Sequence, residues 1–147
     1  MNKSVWILII IILLGLVGWG IRAGVQGKAP QSPDQSVFYP AQNREHVPVG
    51  AAHSAYNSNP PSGGWHYALT AKKQFYNEPI DDGYALHNLE HGDIWITYHP
   101  RVPQSVKDEL KAFAFSRVLI SPREANDTDI ALVAWELSWV DAGAATA

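Results

Sequence analysis

One uncharged segment near the N-terminus constrains the chain more than any other feature. Apolar residues run almost without interruption from Val5 to Ile21, and no charged residue lies between Lys3 and Arg22. At a rise of ~1.5 Å per residue, a helix of this length can just cross a hydrocarbon layer of ~30 Å. We therefore predict a single transmembrane anchor at residues 5–21. A cleaved signal peptide is the alternative, although its apolar region is usually shorter.

The rest of the sequence predicts a linker and one globular domain. Residues 1–21 would form a cytoplasmic tip and the anchor, and residues 22–49 mix Pro and Gly with Gln and Ser, as linkers do. Residues 50–147 are enough for one core, and we expect them to form a domain on the extracytoplasmic side. The protein is thus expected to be a single-pass membrane protein. Its expected partners are the lipid bilayer, through residues 5–21, and a membrane protein complex.

Charge and composition exclude several classes of function. From Gly50 onward the chain has seven Lys or Arg and twelve Asp or Glu, a net charge of −5. An acidic domain lacks the positive surface that binds phosphate backbones, so no nucleic-acid partner is expected. The chain has no cysteine, which excludes disulfides and thiolate metal sites, and Met1 is its only methionine.

From residue 51 the chain divides into an irregular half, at 51–92, and a half with the pattern of an α+β fold. Runs of β-branched, aromatic or other apolar residues predict strands at 94–98, 117–120 and 130–140. Pro103 opens a predicted helix between the first two strands. This helix is amphipathic because Val106, Leu110 and Phe113 fall on one face. A strand–helix–strand–strand order predicts a small mixed sheet with one helix on a face.

Histidines in the irregular half are the clearest chemical signal in the sequence. His87 and His91 are four residues apart, so one helical turn would place both imidazoles on one face, where they can bind one metal ion. His53 and His66 flank a rigid Pro/Gly bend that could fold them back towards this pair. We therefore predict that one copper or zinc ion binds four imidazoles, those of His53, His66, His87 and His91. The other two histidines, His46 and His99, are expected to be solvated or to cap backbone groups.

Two alternatives to metal binding by four imidazoles remain open. The run HNLEH at 87–91 also matches H-x-x-E-H, in which Glu90 would activate water in a small zinc hydrolase. Gly92 and the strand after it cut such a helix short. A domain of about a hundred residues also leaves little room for a substrate cleft and a distant third ligand, for which Glu136 would be the candidate, so hydrolysis is the weaker hypothesis. The other alternative is a metal-free structural subunit of a membrane protein complex, in which the histidines hold the irregular half together.

The order of these motifs resembles that of one protein family. The chain reads H-x-x-YNSNPP at 53–61, G-x-H at 64–66, HNLEHG at 87–92 and Y-x-P at 98–100. This order is similar to that of prokaryotic membrane-anchored proteins classed as a domain of unknown function, over roughly residues 51–136. The resemblance implies an anchor, a linker and the same histidine block. The chain departs from the family pattern in the bend, where it reads PPSGGWH.

Overall fold

The computed structural model describes residues 2, 5, 12, 13, 15 and 34–140 of the chain. The chain divides into one unit that ends at Asp34 and a second unit that begins at Gln35. Among its described residues, the second unit has five strands and two helices. In chain order they are β1 (Val37–Phe38), α1 (Asp82–Glu90), β2 (Ile94–Tyr98), α2 (Gln104–Lys111), β3 (Val118–Pro122), β4 (Ile130–Ala134) and β5 (Leu137–Val140).

The strands form one mixed sheet in the order β1-β5-β4-β2-β3. β2 and β3 are parallel, and the other neighbouring pairs are antiparallel. α2 connects the parallel pair and packs Val106 and Leu110 into a core with sheet residues. Phe113 lies beyond the end of this helix and is 52% exposed. The small mixed sheet that the order of elements predicts is therefore present, with β1 added from the stretch predicted as a linker.

β2 is the centre of two separate cores. Successive side chains of a strand point to opposite faces of the sheet. Trp95 packs with Leu86 and Leu89 of α1, whereas the next residue, Ile96, packs with Leu110 of α2. The two helices therefore cover opposite faces, and β2 is buried on both sides. This explains its unbroken run of β-branched and aromatic residues.

The segment at 130–140, predicted as one strand, is instead a hairpin. β4 and β5 pair antiparallel, with Ala134 opposite Leu137. Between them Glu136 has a φ of 63°, a conformation that cannot continue a strand. Its N–H donates a hydrogen bond of 2.8 Å to the carbonyl oxygen of Ser62. The turn thus depends on a contact distant in sequence, which a local pattern does not reveal.

The predicted membrane anchor is corrected by the structure. Within the part of the chain that is described, no helix is long and apolar enough to cross a membrane. The longer of the two helices in the second unit has nine residues and spans about 14 Å, against about 30 Å of hydrocarbon. The transmembrane helix at residues 5–21 and the single-pass location that depends on it are therefore not supported. Most of residues 5–21 lie outside the described residues.

α1 is a second helix, in the half predicted to be irregular. It begins after Asp81, whose side chain caps it by accepting a hydrogen bond of 3.0 Å from the N–H of Gly83. It ends at Glu90, with His91 as its C-cap. Gly92 follows with a φ of 76°, a left-handed conformation that glycine adopts at little cost. The single turn expected around His87 and His91 is therefore the last part of a longer helix.

Gly83→Ala is expected to destabilise the protein by about 1–3 kcal/mol, although alanine is the better helix former. A Cβ at this position would lie 2.8 Å from ring atoms of Tyr67, a side chain that is only 7% exposed. Urea denaturation measures the loss. In a Tyr67→Ala background the clash is absent, so Gly83→Ala should then cost much less. Equal losses in both backgrounds would show that the close approach is not the cause.

Candidate metal centre

Three imidazoles and one carboxylate lie together beside α1. We call His46, His66, His87 and Glu90 the histidine–glutamate group. Their potential ligand atoms all lie within 4.8 Å of one another. His87 and Glu90 are three residues apart on α1 and therefore share a face of the helix. Imidazole nitrogens and carboxylate oxygens are zinc ligands in proteins, so the group could hold a metal ion.

A short backbone pairing brings His46 to His66. The two residues form an isolated parallel β-bridge. In it, the N–H of Val47 donates to the carbonyl oxygen of His66 at 2.8 Å, and the N–H of His66 donates to that of Glu45 at 3.2 Å. The two rings meet edge to face with centroids 4.8 Å apart. The bridge explains why His46 belongs to the group although the sequence around it has the composition of a linker.

His66 and Glu90 lie close enough to share a proton or to bind one metal ion. Nδ1 of the fully buried His66 ring lies 2.8 Å from the carbonyl oxygen of Gly64, which can only accept, so Nδ1 carries a proton. Nε2 lies 3.2 Å from Oε2 of Glu90. In the neutral ring this nitrogen presents a lone pair to a carboxylate, which is unfavourable. A shared proton or a metal ion bound to both atoms would remove this repulsion.

His87 has a buried nitrogen without a partner. Its Nε2 lies 2.9 Å from Nε2 of His91, and its Nδ1 is buried with no hydrogen-bond partner among the described residues. Whichever ring donates in the contact between the two histidines, Nδ1 of His87 stays unsatisfied. A buried polar atom in this state costs about 1–3 kcal/mol.

The surroundings of His87 favour the neutral form that binds metals. Burial lowers the pKa of His87, and the neighbouring His66, His91 and His46 lower it further. The backbone of Tyr67 acts in the opposite direction. A neutral imidazole keeps a lone pair for a metal ion, whereas a protonated one does not.

The four ligands predicted from the sequence occupy different positions. His66 and His87 belong to the histidine–glutamate group, and His91 adjoins it through its contact with His87. His53 lies outside the group, with Nδ1 2.8 Å from the carbonyl oxygen of Ser54 and its ring stacked on Trp65. His53 instead lines an open cleft of about 490 Å³. Whether His53 and His91 are ligands remains a prediction, which the substitutions described below test.

Two members of the group are absent from the predicted ligand set. Glu90 appears there only as a water-activating base, although its three-residue spacing from His87 indicates a shared face. His46 has no local signal, because its β-bridge depends on the path of the chain between it and His66. Glu136, the distant ligand of the hydrolase hypothesis, accepts a hydrogen bond of 3.1 Å from the N–H of Ala41 and is not a member.

A buried polar network holds the end of α1 that carries His87 and His91. The side chain of Asn88 pairs with the backbone of Ala71, accepting from its N–H at 2.8 Å and donating to its carbonyl oxygen at 3.1 Å. Asn88 also donates to Asp93 at 3.0 Å. Lys73 and Arg117 each approach Asp93 at 3.4 Å. Burial opposes ionisation of Asp93, but these hydrogen bonds and charges outweigh it and lower its pKa.

Comparison with known families matches residues 46–142 to a family described as "Protein of unknown function (DUF3105)". No curated protein and no solved structure matches the chain. The matched region contains the whole histidine–glutamate group and all six histidines of the chain. The match agrees with the resemblance to a domain of unknown function. It does not confirm the membrane anchor or the signature motif on which that resemblance also depends.

Proposed function

We propose that this chain, which belongs to the DUF3105 family of proteins of unknown function, binds one zinc or copper ion at the histidine–glutamate group. The observation behind this proposal is that four potential ligand atoms, two of them on buried imidazoles, lie within 4.8 Å of one another. The distance of 3.2 Å between Nε2 of His66 and Oε2 of Glu90 supports it, since one ion can bind both atoms.

The donor set favours zinc(II) or copper(II). It consists of three imidazole nitrogens and one carboxylate oxygen, and the chain has no cysteine to select softer ions. In a tetrahedral site with bonds of ~2.1 Å the ligand atoms lie ~3.4 Å apart. The group therefore has to contract slightly when it binds an ion. The exposed side chain of His46 is the member with most freedom to close over it.

The same donor set favours holding a metal over catalysis at it. Catalytic zinc usually has three protein ligands and an open position for water, whereas four protein ligands close a tetrahedral site. If Glu90 is a ligand, it is not available as the general base of the hydrolase hypothesis. Glu136 is engaged with Ala41. We therefore propose an accessory or metal-handling protein.

Metal content of the full-length chain tests the proposal. The protein is incubated with zinc(II) or copper(II), dialysed, and analysed by inductively coupled plasma mass spectrometry. We expect about one ion per chain, as a single closed site requires. Retention of neither metal would contradict the proposal. It would favour the metal-free scaffold, in which a proton, and not a metal ion, lies between His66 and Glu90.

Glu90→Gln is expected to weaken metal binding by about 100-fold or more, since even the loss of an outer partner of a ligand typically costs 10–100-fold. Glutamine preserves the length of the side chain but removes its charge. Competition with a chromophoric chelator measures the affinity, and Glu124→Gln, at an exposed carboxylate outside the group, serves as the control. The hydrolase hypothesis makes the opposite prediction: Glu90→Gln would keep the metal and abolish peptide cleavage by the wild type.

A further inference from the structure

His91 lies at the exposed end of a row of imidazoles that leads into the histidine–glutamate group. Its ring stacks on that of His87 with centroids 4.7 Å apart. The ring of His87 in turn lies 4.9 Å from that of His46 and 5.2 Å from that of His66. Exposure falls along the row, from the exposed His91 to His87 at 7% and His66 at 0%. His87 therefore lies between two exposed imidazoles, His91 and His46, and the buried His66, and His91 is the exposed one outside the group.

The contact between His91 and His87 brings two imidazole nitrogens close together at the surface end of the row. Their Nε2 atoms are 2.9 Å apart. Two nitrogens bonded to one ion in a tetrahedral site lie ~3.4 Å apart, so the pair has to separate by about 0.5 Å to share an ion. In the metal-free protein this spacing corresponds to an N–H···N hydrogen bond, so a proton lies where an incoming ion would bind. The exposed side chain of His91 is the one with freedom to make this movement.

The backbone of His91 is held while its side chain faces solvent. As the C-cap of α1, it donates its N–H to the carbonyl oxygen of His87 at 3.2 Å. Its own carbonyl oxygen accepts a hydrogen bond of 2.8 Å from Nη2 of Arg117. These bonds fix the Cα position of His91. Rotation of the exposed side chain can therefore separate its nitrogen from His87 without disturbing the site.

We propose that His91 is the entry ligand of the metal site, a deduction that rests on the proposed function. An incoming zinc or copper ion binds first to Nε2 of His91 and of His87. With His91 as the donor in this contact, its Nε2 proton moves through water to Nδ1 of the same ring, so that both Nε2 atoms have a lone pair for the ion. The bond to His91 then breaks as bonds to the other members of the histidine–glutamate group form. The metal keeps its oxidation state, and His91 returns to solvent as a neutral imidazole.

Transfer of the ion from a chromophoric chelator to the full-length chain, followed by stopped-flow absorbance, tests this role. His91→Ala should still bind about one ion, with an affinity within about threefold of the wild type. Its loading rate should fall by about tenfold or more. Association rates among variants of one binding surface vary over about one to three orders of magnitude, so a change of this size is reasonable. His99→Asn is the matched control. It removes another imidazole from the chain but keeps a side-chain acceptor for the N–H of Arg101, and it should load at the wild-type rate.

The outcomes separate the entry role from the metal site itself. Equal loading rates for His91→Ala and the wild type would overturn the proposal. So would loss of the ion from His91→Ala at equilibrium, because His91 would then be a permanent ligand. Slow loading of His46→Ala with normal loading of His91→Ala would also overturn it, since the ion would enter past His46. If the wild type retains no metal, the proposed metal site itself is wrong, and the entry role is wrong with it.

Discussion

His87→Leu is expected to abolish retention of the metal while the metal-free protein stays as stable as the wild type, within about 1 kcal/mol. Leucine has no lone pair, so the group loses one of its two buried imidazole ligands. Its volume is close to that of histidine and it is a better helix former. The substitution also removes the buried Nδ1 that has no partner in the described part of the chain. This gain offsets the lost contact with His91.

The two halves of this prediction need separate measurements. Metal per chain after dialysis reports on the site, and urea denaturation with excess chelator reports on the metal-free fold. With metal at 100 times its Kd, the wild type should gain about 2.7 kcal/mol of stability, and His87→Leu should gain none. A variant that keeps its ion would show that His87 is not a ligand.

Substitutions at two other histidines complete the comparison. His66→Leu should lose the metal and also destabilise the metal-free protein, because His66 is fully buried and bonded to Gly64 and Glu90. His53→Ala should keep about one ion, since its ring lies outside the four-ligand group. Loss of the ion from His53→Ala would instead support the set of four imidazoles predicted from the sequence.

Asp93→Asn is expected to destabilise the protein by about 2–4 kcal/mol. The side chain of Asp93 is only 4% exposed, and its two oxygens accept from Asn88, Lys73 and Arg117. An asparagine side chain has one oxygen and brings an NH2 group towards these donors, so at least one bond is lost without replacement. Loosening of Asn88 would release Ala71 from the end of α1. Chemical denaturation at neutral pH measures the effect.

The pH dependence of stability provides a second test of the Asp93 network. Because the folded protein lowers the pKa of Asp93, its carboxylate contributes stability that is complete above the unfolded value of about 4. That contribution is lost as the pH falls through the lower folded value, so Asp93→Asn should flatten the acid limb of the stability curve. Asp108 also has a lowered pKa, through Lys111 and Gln104, but its side chain is 57% exposed. Asp108→Asn should therefore leave stability unchanged, and an equal effect of both substitutions would contradict the role of burial.

Features with a local cause were predicted from the sequence. The strand at 94–98 has the predicted bounds, because both of its faces are buried and its composition reflects this. α2 follows Pro103, as the position of a proline at a helix start predicts. The helical relation of His87 and His91, ended by Gly92, also depends only on neighbouring residues. In each case the pattern and its cause lie within one element.

Contacts between segments that are distant in sequence bring the histidine–glutamate group together. Four-residue spacing could relate His87 to His91 but could not reveal His46, which reaches the group through a β-bridge to His66. His53 flanks the same bend as His66, yet it packs on Trp65 outside the group. The physical reason is that periodicity describes one element at a time, whereas a site built from several segments depends on the path of the loops between them. The sequence by itself determined the helical pair of histidines, and only the tertiary structure decided which other side chains face it.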